Sequence, residues 1–289
     1  MGKALTGSGI ASPDERTTRL EQCARQIRID IIRMVYEAGP SRKGHPGASL
    51  SAADIVAVLY FDVLRLDPSY PQWPDRDRFI LSKGHASPVL YAALANRGYF
   101  EKSQYASFRK VDGMLQGHPD MKSTPGVDMT SGSLGHGLSA GMGVALAGKI
   151  SHRDYHVFVL LGDGECQEGL VWEAALAAPK YGLDNLIAVI DLNGWQACGS
   201  VRETLPIEPL IAKWQSFGWN TLEIDGHSIP EILNALELAR THPRTPSVVI
   251  AHTVKGKGVS FMEDNNDWHQ KAPTTEEYEL AISELGSRG

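Results

Sequence analysis

The sequence predicts an α/β fold in which helices cover both faces of one doubly wound, parallel sheet. Three runs are apolar throughout, as strands buried on both faces are: HVFVLLGDG at 156–164, NLIAVIDLNG at 185–194 and PSVVIAHTVKGKG at 246–258. Helical stretches separate these runs, which favours parallel strands joined by crossover helices. Because the chain shows no internal repeat, low-complexity linker or shift in composition, we expect a single domain over 18–289 behind a flexible lead-in at 1–17.

Further elements follow from hydrophobic periodicity and from turn residues. Apolar residues recur at three- and four-residue steps from Leu20 to Met34, which predicts a helix that ends at Gly39 and Pro40. A glycine-rich loop is expected next, at 41–50. The remaining expected elements are a helix at 51–67, a short apolar run at 78–87, a helix at 87–99, a small-residue helix at 131–149, a strand at 220–228 and a helix at 228–241.

Composition narrows the class of protein. The 289 residues carry a net charge of −6, so a broad electrostatic surface for nucleic acid or acidic lipid is not expected. The three cysteines are odd in number and lack metal-ligand spacing, which favours free thiols and a cytoplasmic location. No apolar run approaches the roughly 18–20 residues of a membrane span, and the first residues lack the apolar core of a signal peptide.

Polar residues follow two of the apolar runs at the point where a ligand would bind. Asp163 follows the first run and Asn193 follows the second, thirty residues later, which is about one strand–helix–strand unit. We therefore expect both side chains at neighbouring strand ends. Together with a backbone carbonyl near Trp195 and phosphate oxygens of a ligand, they offer the hard oxygen donors that Mg²⁺ or Ca²⁺ takes.

The turn after the first run suits a phosphate. Gly164 has no side chain to keep a phosphate away from its N–H, and a helix that begins near Gln167 or Glu168 would direct its positive dipole end toward it. The alternative is that GDG and Asn193-Gly194 are two plain tight turns. Their spacing and their position after buried strands favour a metal–diphosphate site.

Histidines form a second pattern. Five of the ten follow a glycine directly: His45, His85, His118, His136 and His227. A single histidine is more often a surface or core residue than a catalyst, but several on glycine loops favour hydrogen-bond donors and proton carriers around one polar substrate. The other histidines that lack such a setting, and to which no role is assigned, are His152, His156, His242 and His252.

These motifs resemble a known family. GDGECQEG followed by DLNGW is similar to the thiamine-diphosphate fingerprint, and SRKGHPGASLS, RDRFILSKGHAS, QGHPD, SGSLGHG and WHQKAP resemble, in the same order, the amino-terminal half of transketolases. The resemblance runs from about Arg25 to Pro273. It is specific, because other thiamine enzymes share the first fingerprint but not the histidine loops.

The resemblance implies a role for individual residues. It implies Mg²⁺, replaceable by Ca²⁺ or Mn²⁺, on Asp163, Asn193 and the carbonyl of Trp195. It implies a thiamine diphosphate bound by His85, Gly132, Ser133, Leu134, Gly164, Asn193 and His269. It implies substrate-facing, catalytic histidines at His45, His118 and His269, and an intersubunit contact at Glu168. The cofactor would supply the carbanion chemistry, so the protein would anchor the charged tail and position proton donors.

The sequence departs from the family pattern in three places. His136 stands where the family usually has glutamine, and Ala197 stands where a larger aliphatic residue is common. The chain also ends at Gly289, after the first domain of a transketolase. The resemblance therefore implies the first subunit of a split enzyme, active only with a separately encoded pyrimidine-domain subunit that supplies the activating glutamate and the phosphate-binding arginines. The implied assembly is a dimer of heterodimers.

Three functions remain open at this point. The first is transfer of a two-carbon ketol unit from a ketose phosphate to an aldose phosphate, as in pentose phosphate metabolism. The second is the same chemistry on a modified sugar, such as a sulfo-sugar or a branched sugar phosphate. The third is a regulatory relative without catalysis, which the intact metal motif and loop histidines argue against.

Overall fold

The computed structural model describes residues 12–287 and has a five-stranded parallel sheet at its centre. The strand order is β1-β2-β3-β7-β6, and a separate antiparallel pair, β4-β5, follows β3 in the chain. The α/β fold predicted from the sequence is confirmed. The strands are β1 Arg78–Leu81, β2 Val157–Gly162, β3 Leu186–Leu192, β4 Trp195–Gln196, β5 Gly199–Ser200, β6 Asn220–Asp225 and β7 Ser247–His252.

Helices cover both faces of this sheet. In chain order they are α1 Pro13–Ala38, α2 Pro46–Leu50, α3 Ala53–Val58, α4 Ser87–Arg97, α5 His136–Ile150, α6 Gly169–Lys180, α7 Val201–Thr204, α8 Leu210–Ser216, α9 Ile229–Thr241 and α10 Thr275–Ser287. A π-helical turn, Leu59–Val63, continues α3. Short 3-10 turns lie at Gly84–Ala86, Lys102–Ser107, Gly164–Gln167 and Asn266–Trp268.

Alternation along each strand divides the core into two layers. In β2, Phe158 and Leu160 belong to the layer that contains α1, α3, α4 and α9, whereas Val159 and Leu161 belong to the layer that contains α6 and α8. Successive strand side chains point to opposite faces, so a strand that is apolar throughout can be buried on both. This is why the continuous apolar runs in the sequence predict a sheet covered on both sides.

The first helix begins earlier than the sequence analysis expects. Ser12 Oγ accepts a hydrogen bond from the Glu15 N–H, and the Glu15 carboxylate accepts one from the Ser12 N–H, which is a capping box ahead of Pro13. Residues 13–17, expected to belong to a flexible lead-in, are therefore helical. Ser12 caps this helix, and residues 1–11 of the expected lead-in lie outside the described residues. The glycine-rich loop expected at 41–50 likewise contains the short helix α2.

Small residues let α5 lie close to the sheet. A Cβ built on Gly141 would be 2.6 Å from a methyl group of Val159, and one built on Gly137 would collide with the side chain of Ser82. Real Cβ atoms do not approach their neighbours so closely, so larger residues at these two positions would push the helix away. This helix is the small-residue helix expected at 131–149, and it begins at His136.

A buried ion pair joins α1 to α3. The Arg28 guanidinium donates to both carboxylate oxygens of Asp54, at 2.9 and 2.6 Å, and His227 Nδ1 lies 2.7 Å from the same carboxylate. Burial raises the pKa of Asp54, but Arg28 and His227 outweigh it and hold the pKa at about 2, below its ordinary 3.8. The carboxylate is therefore charged at neutral pH.

Replacing Asp54 by asparagine is expected to lower the free energy of unfolding by about 3 kcal/mol at pH 7, because buried Arg28 loses its counter-ion. A carboxylate whose pKa is lowered on folding stabilises the protein above its unfolded pKa and loses that contribution as the pH falls through the folded pKa. The gap between wild type and Asp54→Asn, measured by urea unfolding, should therefore shrink by about 2 kcal/mol from about pH 5 to about pH 2. A gap independent of pH over this range would contradict the assignment.

Among the helices within residues 12–287, none is long and apolar enough to cross a membrane.

Candidate functional site

A cavity of about 390 Å³ opens at the carboxyl ends of β2 and β3. These strands are parallel neighbours with Gly162 paired to Asp191, so the residues that follow each strand meet at one edge of the sheet. Asp163, Asn193 and Trp195 all line the cavity, as the spacing in the sequence predicts. The crossover through α6 between two parallel strands has brought residues thirty positions apart into one site.

Asp163 is the buried acid of this cavity. One carboxylate oxygen accepts the Gly164 N–H at 2.8 Å, and the other accepts the Gly194 N–H at 2.5 Å. Burial and the neighbouring Asp191 carboxylate raise the pKa of Asp163 to about 7, despite these hydrogen bonds. The two neighbouring buried carboxylates repel each other, and an added cation beside Asp163 would relieve that repulsion.

Asn193 is hydrogen-bonded to Asp191, the acid next to Asp163. Its Nδ2 donates to Asp191 at 2.8 Å, and its Oδ1 accepts the Trp195 N–H at 3.1 Å, so the orientation of the amide is fixed. Among residues 12–287, no three His, Cys, Asp or Glu side chains are grouped so as to hold a metal ion. The set predicted from the sequence is of a different kind, with one carboxylate, one amide oxygen and a backbone carbonyl, and hard oxygen donors of this kind would fit Mg²⁺.

A buried lysine, Lys83, which is not among the residues predicted from the sequence, pairs with Asp191 beside Asp163. Lys83 is only 1% exposed, and its ammonium forms an ion pair with Asp191 and donates to the Ala48 carbonyl at 2.8 Å. Ser51 and Thr253 donate to the same carboxylate. Lys83 follows the run RFIL, so the rule that residues after strands line the site would have found it.

The β4–β5 hairpin forms a wall of the cavity beside Gly164. A Cβ built on Gly164 would lie 3.0 Å from both Cβ and Oε1 of Gln196, so any larger residue would press on this wall. The helix expected near Gln167 or Glu168 is α6, which begins at Gly169 after the short turn Gly164–Gln167. A phosphate next to Gly164 would thus lie near the N-terminal end of α6.

Three of the predicted histidines meet in the lining of the same cavity. The ring centroids of His45, His85 and His269 lie 5.2 to 5.5 Å from one another. His45 Nδ1 is buried and has no hydrogen-bond partner among the described residues. The His45 ring lines the cavity, and a buried ring nitrogen without a partner is a polar group that a bound ligand or a small movement of the ring would have to satisfy.

The folded structure lowers the pKa of all three rings. Burial, followed by the neighbouring His269, lowers the pKa of His45 to about 3. Burial and Lys255 lower the pKa of His269 to about 4, and burial with His45 lowers the pKa of His85 well below its usual range. These lowered pKa values keep all three rings neutral at pH 7.

A second buried lysine, Lys255, is likewise absent from the residues predicted from the sequence. Lys255 is fully buried, and its Nζ donates to Asn266 Oδ1 at 2.6 Å and lies 3.0 Å from His269 Nδ1. It follows strand β7 in the run VKGKG, so its position in the sequence again carried a usable signal. The contact leaves the Nε2 side of the His269 ring free of this lysine.

His118 lies at the edge of this group. It is exposed and does not line the cavity, but its ring packs over Gly132, where a built Cβ would be 3.1 Å from it. Partial burial and the nearby Arg109 lower the pKa of His118. Arg109, not selected from the sequence, has a buried Nη1 without a partner among the described residues and a backbone φ of +56°, a strained conformation of the kind found at functional sites.

The segment from Gly132 to Leu134 contributes unequally. Gly132 and Leu134 line the cavity, whereas Ser133 lies between them with its side chain exposed. Glu165, which the sequence analysis did not select, holds this segment in place: its carboxylate accepts the Gly135 N–H at 2.8 Å and the Ser82 hydroxyl. The predicted role of Ser133 stays a prediction.

The comparisons with known proteins now identify the family. The sequence model of the family described as transketolase, thiamine diphosphate binding domain, matches residues 19–288. The chain belongs to the transketolase family.

Two transketolase relatives are matched over nearly their whole length. The chain is 43% identical to the 6-deoxy-6-sulfo-D-fructose transketolase subunit SqwG of Clostridium sp., over 93% of this chain and 98% of that protein. It is 39% identical to an apulose-4-phosphate transketolase subunit of Phocaeicola vulgatus, over 93% of this chain and 94% of that protein.

Longer transketolases are matched in part. The chain is 38% identical to the transketolase of Mus musculus but spans only 44% of its length. Among solved structures, the transketolase from Leishmania mexicana superposes with a TM-score of 0.87 at 28% identity, over 92% of this chain and 41% of that one.

The two residues at which this transketolase sequence departs from the family pattern, His136 and Ala197, are both exposed. His136 is exposed at the start of α5, with its Nδ1 3.1 Å from the Leu134 carbonyl, and Ala197 is exposed on the hairpin wall. Glu168 lines the cavity and is exposed. His227, the fifth histidine that follows a glycine, lies outside the cavity.

Proposed function

We propose that this chain is the cofactor-binding subunit of a thiamine-diphosphate-dependent transketolase that transfers a two-carbon ketol unit from a ketose to an aldose. The observation that carries the proposal is the joint placement of Asp163, Asn193 and three neutral histidines around one cavity at the strand ends. Neither group alone would distinguish this reaction from other phosphate-binding functions. Together they provide a metal–diphosphate anchor next to acid–base groups.

Mg²⁺ is proposed on Asp163, Asn193 and the Trp195 carbonyl, with Ca²⁺ or Mn²⁺ as substitutes. The diphosphate of thiamine diphosphate would be held by the Gly164 N–H, His85 and His269, with Asn193 beside it, and the rings would lie against Gly132, Ser133 and Leu134. When bound, the cofactor supplies an electron sink for carbon–carbon cleavage. The raised pKa of Asp163 and the unpaired His45 Nδ1 support a fit of these groups to the site.

The catalytic roles fall to His45, His118 and His269. At pH 7 a neutral imidazole has one nitrogen that accepts a proton and one that donates a hydrogen bond, so each ring can bind a ketose hydroxyl. His45, whose ring lines the cavity, is the proposed contact for such a hydroxyl. A proton taken up there would be released readily, since the pKa of His45 is low.

The active enzyme is proposed to require a second chain. The relatives that this chain covers nearly end to end are named as subunits, and the longer transketolases contain more than twice its length. The second chain would be a pyrimidine-domain subunit that supplies the activating glutamate and the phosphate-binding groups, in a dimer of heterodimers with Glu168 near the contact. A cytoplasmic location is supported by the absence of a disulfide among Cys23, Cys166 and Cys198.

Two classes of sugar substrate are proposed, ordinary sugar phosphates and modified sugars. A role in pentose phosphate metabolism is supported by the similarity to full-length transketolases, and a modified sugar by the similarity to subunits named for sulfo-fructose and apulose phosphate. The test is to co-express this chain with the pyrimidine-domain subunit, then to assay donor–acceptor pairs of phosphorylated, sulfonated and branched sugars with thiamine diphosphate and Mg²⁺. An assembled complex that consumes no ketose with any acceptor would refute the proposal.

Replacing His118 by alanine is expected to lower kcat/KM for the ketose by about a hundredfold, in the range of a lost acid–base group. Cofactor affinity of the complex should change by less than about twofold, because His118 is exposed and does not line the cavity. His242→Ala, at a histidine without an assigned role, is the matched control and should leave both quantities unchanged. Normal ketose turnover by His118→Ala would remove this residue from the catalytic set.

A further inference from the structure

His227 follows a glycine, like the histidines of the cavity, but both of its ring nitrogens are engaged elsewhere. Nδ1 lies 2.7 Å from Asp54 Oδ2, and Nε2 accepts the Val254 N–H at 2.9 Å. A ring that accepts a backbone N–H at Nε2 and donates to a carboxylate from Nδ1 is held in one neutral tautomer. The side chain is only 13% exposed, so this arrangement is part of the packed structure.

Arg28 holds the other end of the same segment. Its guanidinium binds Asp54 through two nitrogens, and its Nε donates to the Lys257 carbonyl at 3.0 Å. His227 therefore fixes the backbone of Val254, and Arg28 fixes the backbone of Lys257. Arg28 and His227 are themselves joined, because both bind the carboxylate of Asp54. Bidentate arginine–carboxylate pairs fix orientation as well as distance.

Lys255 lies between these two fixed points. Its ammonium contacts Asn266 and His269, and its side chain packs against Gly47, where a built Cβ would be 3.2 Å from Lys255 Cγ and Cε. Gly256, with a φ of +79°, donates its N–H to the Gly47 carbonyl at 3.0 Å. The position of the backbone at 254–257 thus determines where the Lys255 ammonium lies relative to the ring of His269.

We propose that Arg28, Asp54 and His227 are positioning residues that fix Lys255 against His269, and through it set the His269 ring for its ligand. The three are named here the positioning triad. The inference rests on the proposed function for its effect on turnover, but the contact between Lys255 and His269 exists whatever the reaction is. Members of the triad do not line the cavity, so their effect on the reaction must pass through the segment they hold.

A double-mutant cycle in the assembled enzyme tests this route. His227→Phe removes both hydrogen bonds and keeps an aromatic ring, and Arg28→Lys keeps the charge but loses the fork and the bond to Lys257. Each is expected to lower kcat/KM by about tenfold to a hundredfold, as loss of a supporting contact does. When Lys255 is already replaced by methionine, adding His227→Phe should lower kcat/KM by less than about a further twofold, because the contact through which His227 acts is then already lost. If His227→Phe lowers kcat/KM by the same factor with and without Lys255→Met, the inference is overturned.

A second measurement does not depend on activity. The full chain, labelled with ¹⁵N-histidine, gives ring signals that can be assigned to His269 by comparison with His269→Gln. His227→Phe and Arg28→Lys should shift these signals in the same direction as Lys255→Met does. The matched control is His252→Gln, at an exposed histidine paired with Glu223 at the end of strand β7, and it should leave them in place.

The outcomes separate the two proposals. Shifted His269 signals without ketose turnover by the wild-type complex would refute the proposed function and keep the positioning triad. Unshifted His269 signals in a variant that unfolds cooperatively near the wild-type temperature would refute the triad. If His227→Phe does not fold, Arg28→Lys is judged by the same criteria.

Discussion

Asp163→Ala is expected to remove Mg²⁺-dependent binding of thiamine diphosphate and, with it, ketol transfer by the assembled enzyme. Asp163 is the one carboxylate in the proposed metal set, and it is buried with the Gly164 and Gly194 N–H groups as its hydrogen-bond donors. Loss of a residue that merely supports a metal ligand costs about tenfold to a hundredfold in affinity. Loss of the ligand itself should therefore cost at least about a hundredfold, or about 2.7 kcal/mol, measured by calorimetric titration of the complex with cofactor and Mg²⁺.

Two further variants make this result specific. Asp163→Asn keeps the shape and one acceptor for the Gly164 and Gly194 N–H groups, so it separates loss of charge from local disorder. Asp154→Ala is the matched control, because this aspartate precedes the opposite end of the same strand and its side chain is 82% exposed. Unchanged Mg²⁺-dependent binding by both Asp163 variants would refute the metal assignment.

Lys83→Met is expected to produce the largest loss of stability, about 3–5 kcal/mol in the free energy of unfolding of the cofactor-free chain. Lys83 and Asp191 are 1% and 0% exposed, so removing the ammonium leaves a carboxylate that is buried and has lost its counter-ion. The hydrogen bonds from Ser51 and Asn193, at 2.7 and 2.8 Å, would remain but cannot neutralise the charge. Urea unfolding at pH 7 measures the loss.

The control is a lysine–aspartate ion pair at the surface of the protein. Lys149 pairs with Asp184 where both side chains are about one third exposed, and Lys149→Met should cost less than about 1 kcal/mol. The double variant Lys83→Met/Asp191→Asn should recover part of the loss, because the uncompensated charge is then gone. If Lys83→Met were as stable as Lys149→Met, the buried pair would not have the structural role assigned to it.

The sheet could be predicted from the sequence because its central strands are buried on both faces and are followed by glycine turns. β2 and β3 are continuous apolar runs, and their spacing alone predicts that Asp163 lies beside the Asn193-Gly194 turn, as it does. The start of α1 was missed because the apolar periodicity begins at Leu20, well after the capping box at Ser12 and Glu15. A helix end set by local hydrogen bonds leaves no hydrophobic signal.

The site was predicted less completely than the sheet. Lysines are almost always exposed, so neither Lys83 nor Lys255 was chosen from the sequence, although both follow strand runs. Their burial depends on partners distant in the chain, such as Asp191, which is 108 residues from Lys83. The low pKa values of His45 and His269 were equally inaccessible, because burial and neighbouring groups follow only from the folded structure.

The central proposal, that this chain is the cofactor half of a ketol transferase, is tested most directly by following the carbon atoms. The chain is combined with its pyrimidine-domain subunit, thiamine diphosphate, Mg²⁺, an aldose and a ketose labelled with ¹³C at carbons 1 and 2. We expect both labels to appear together in a new ketose two carbons longer than the aldose, only when all components are present and not with Asp163→Ala. A complex that binds the cofactor and transfers no label from any donor would contradict the proposal.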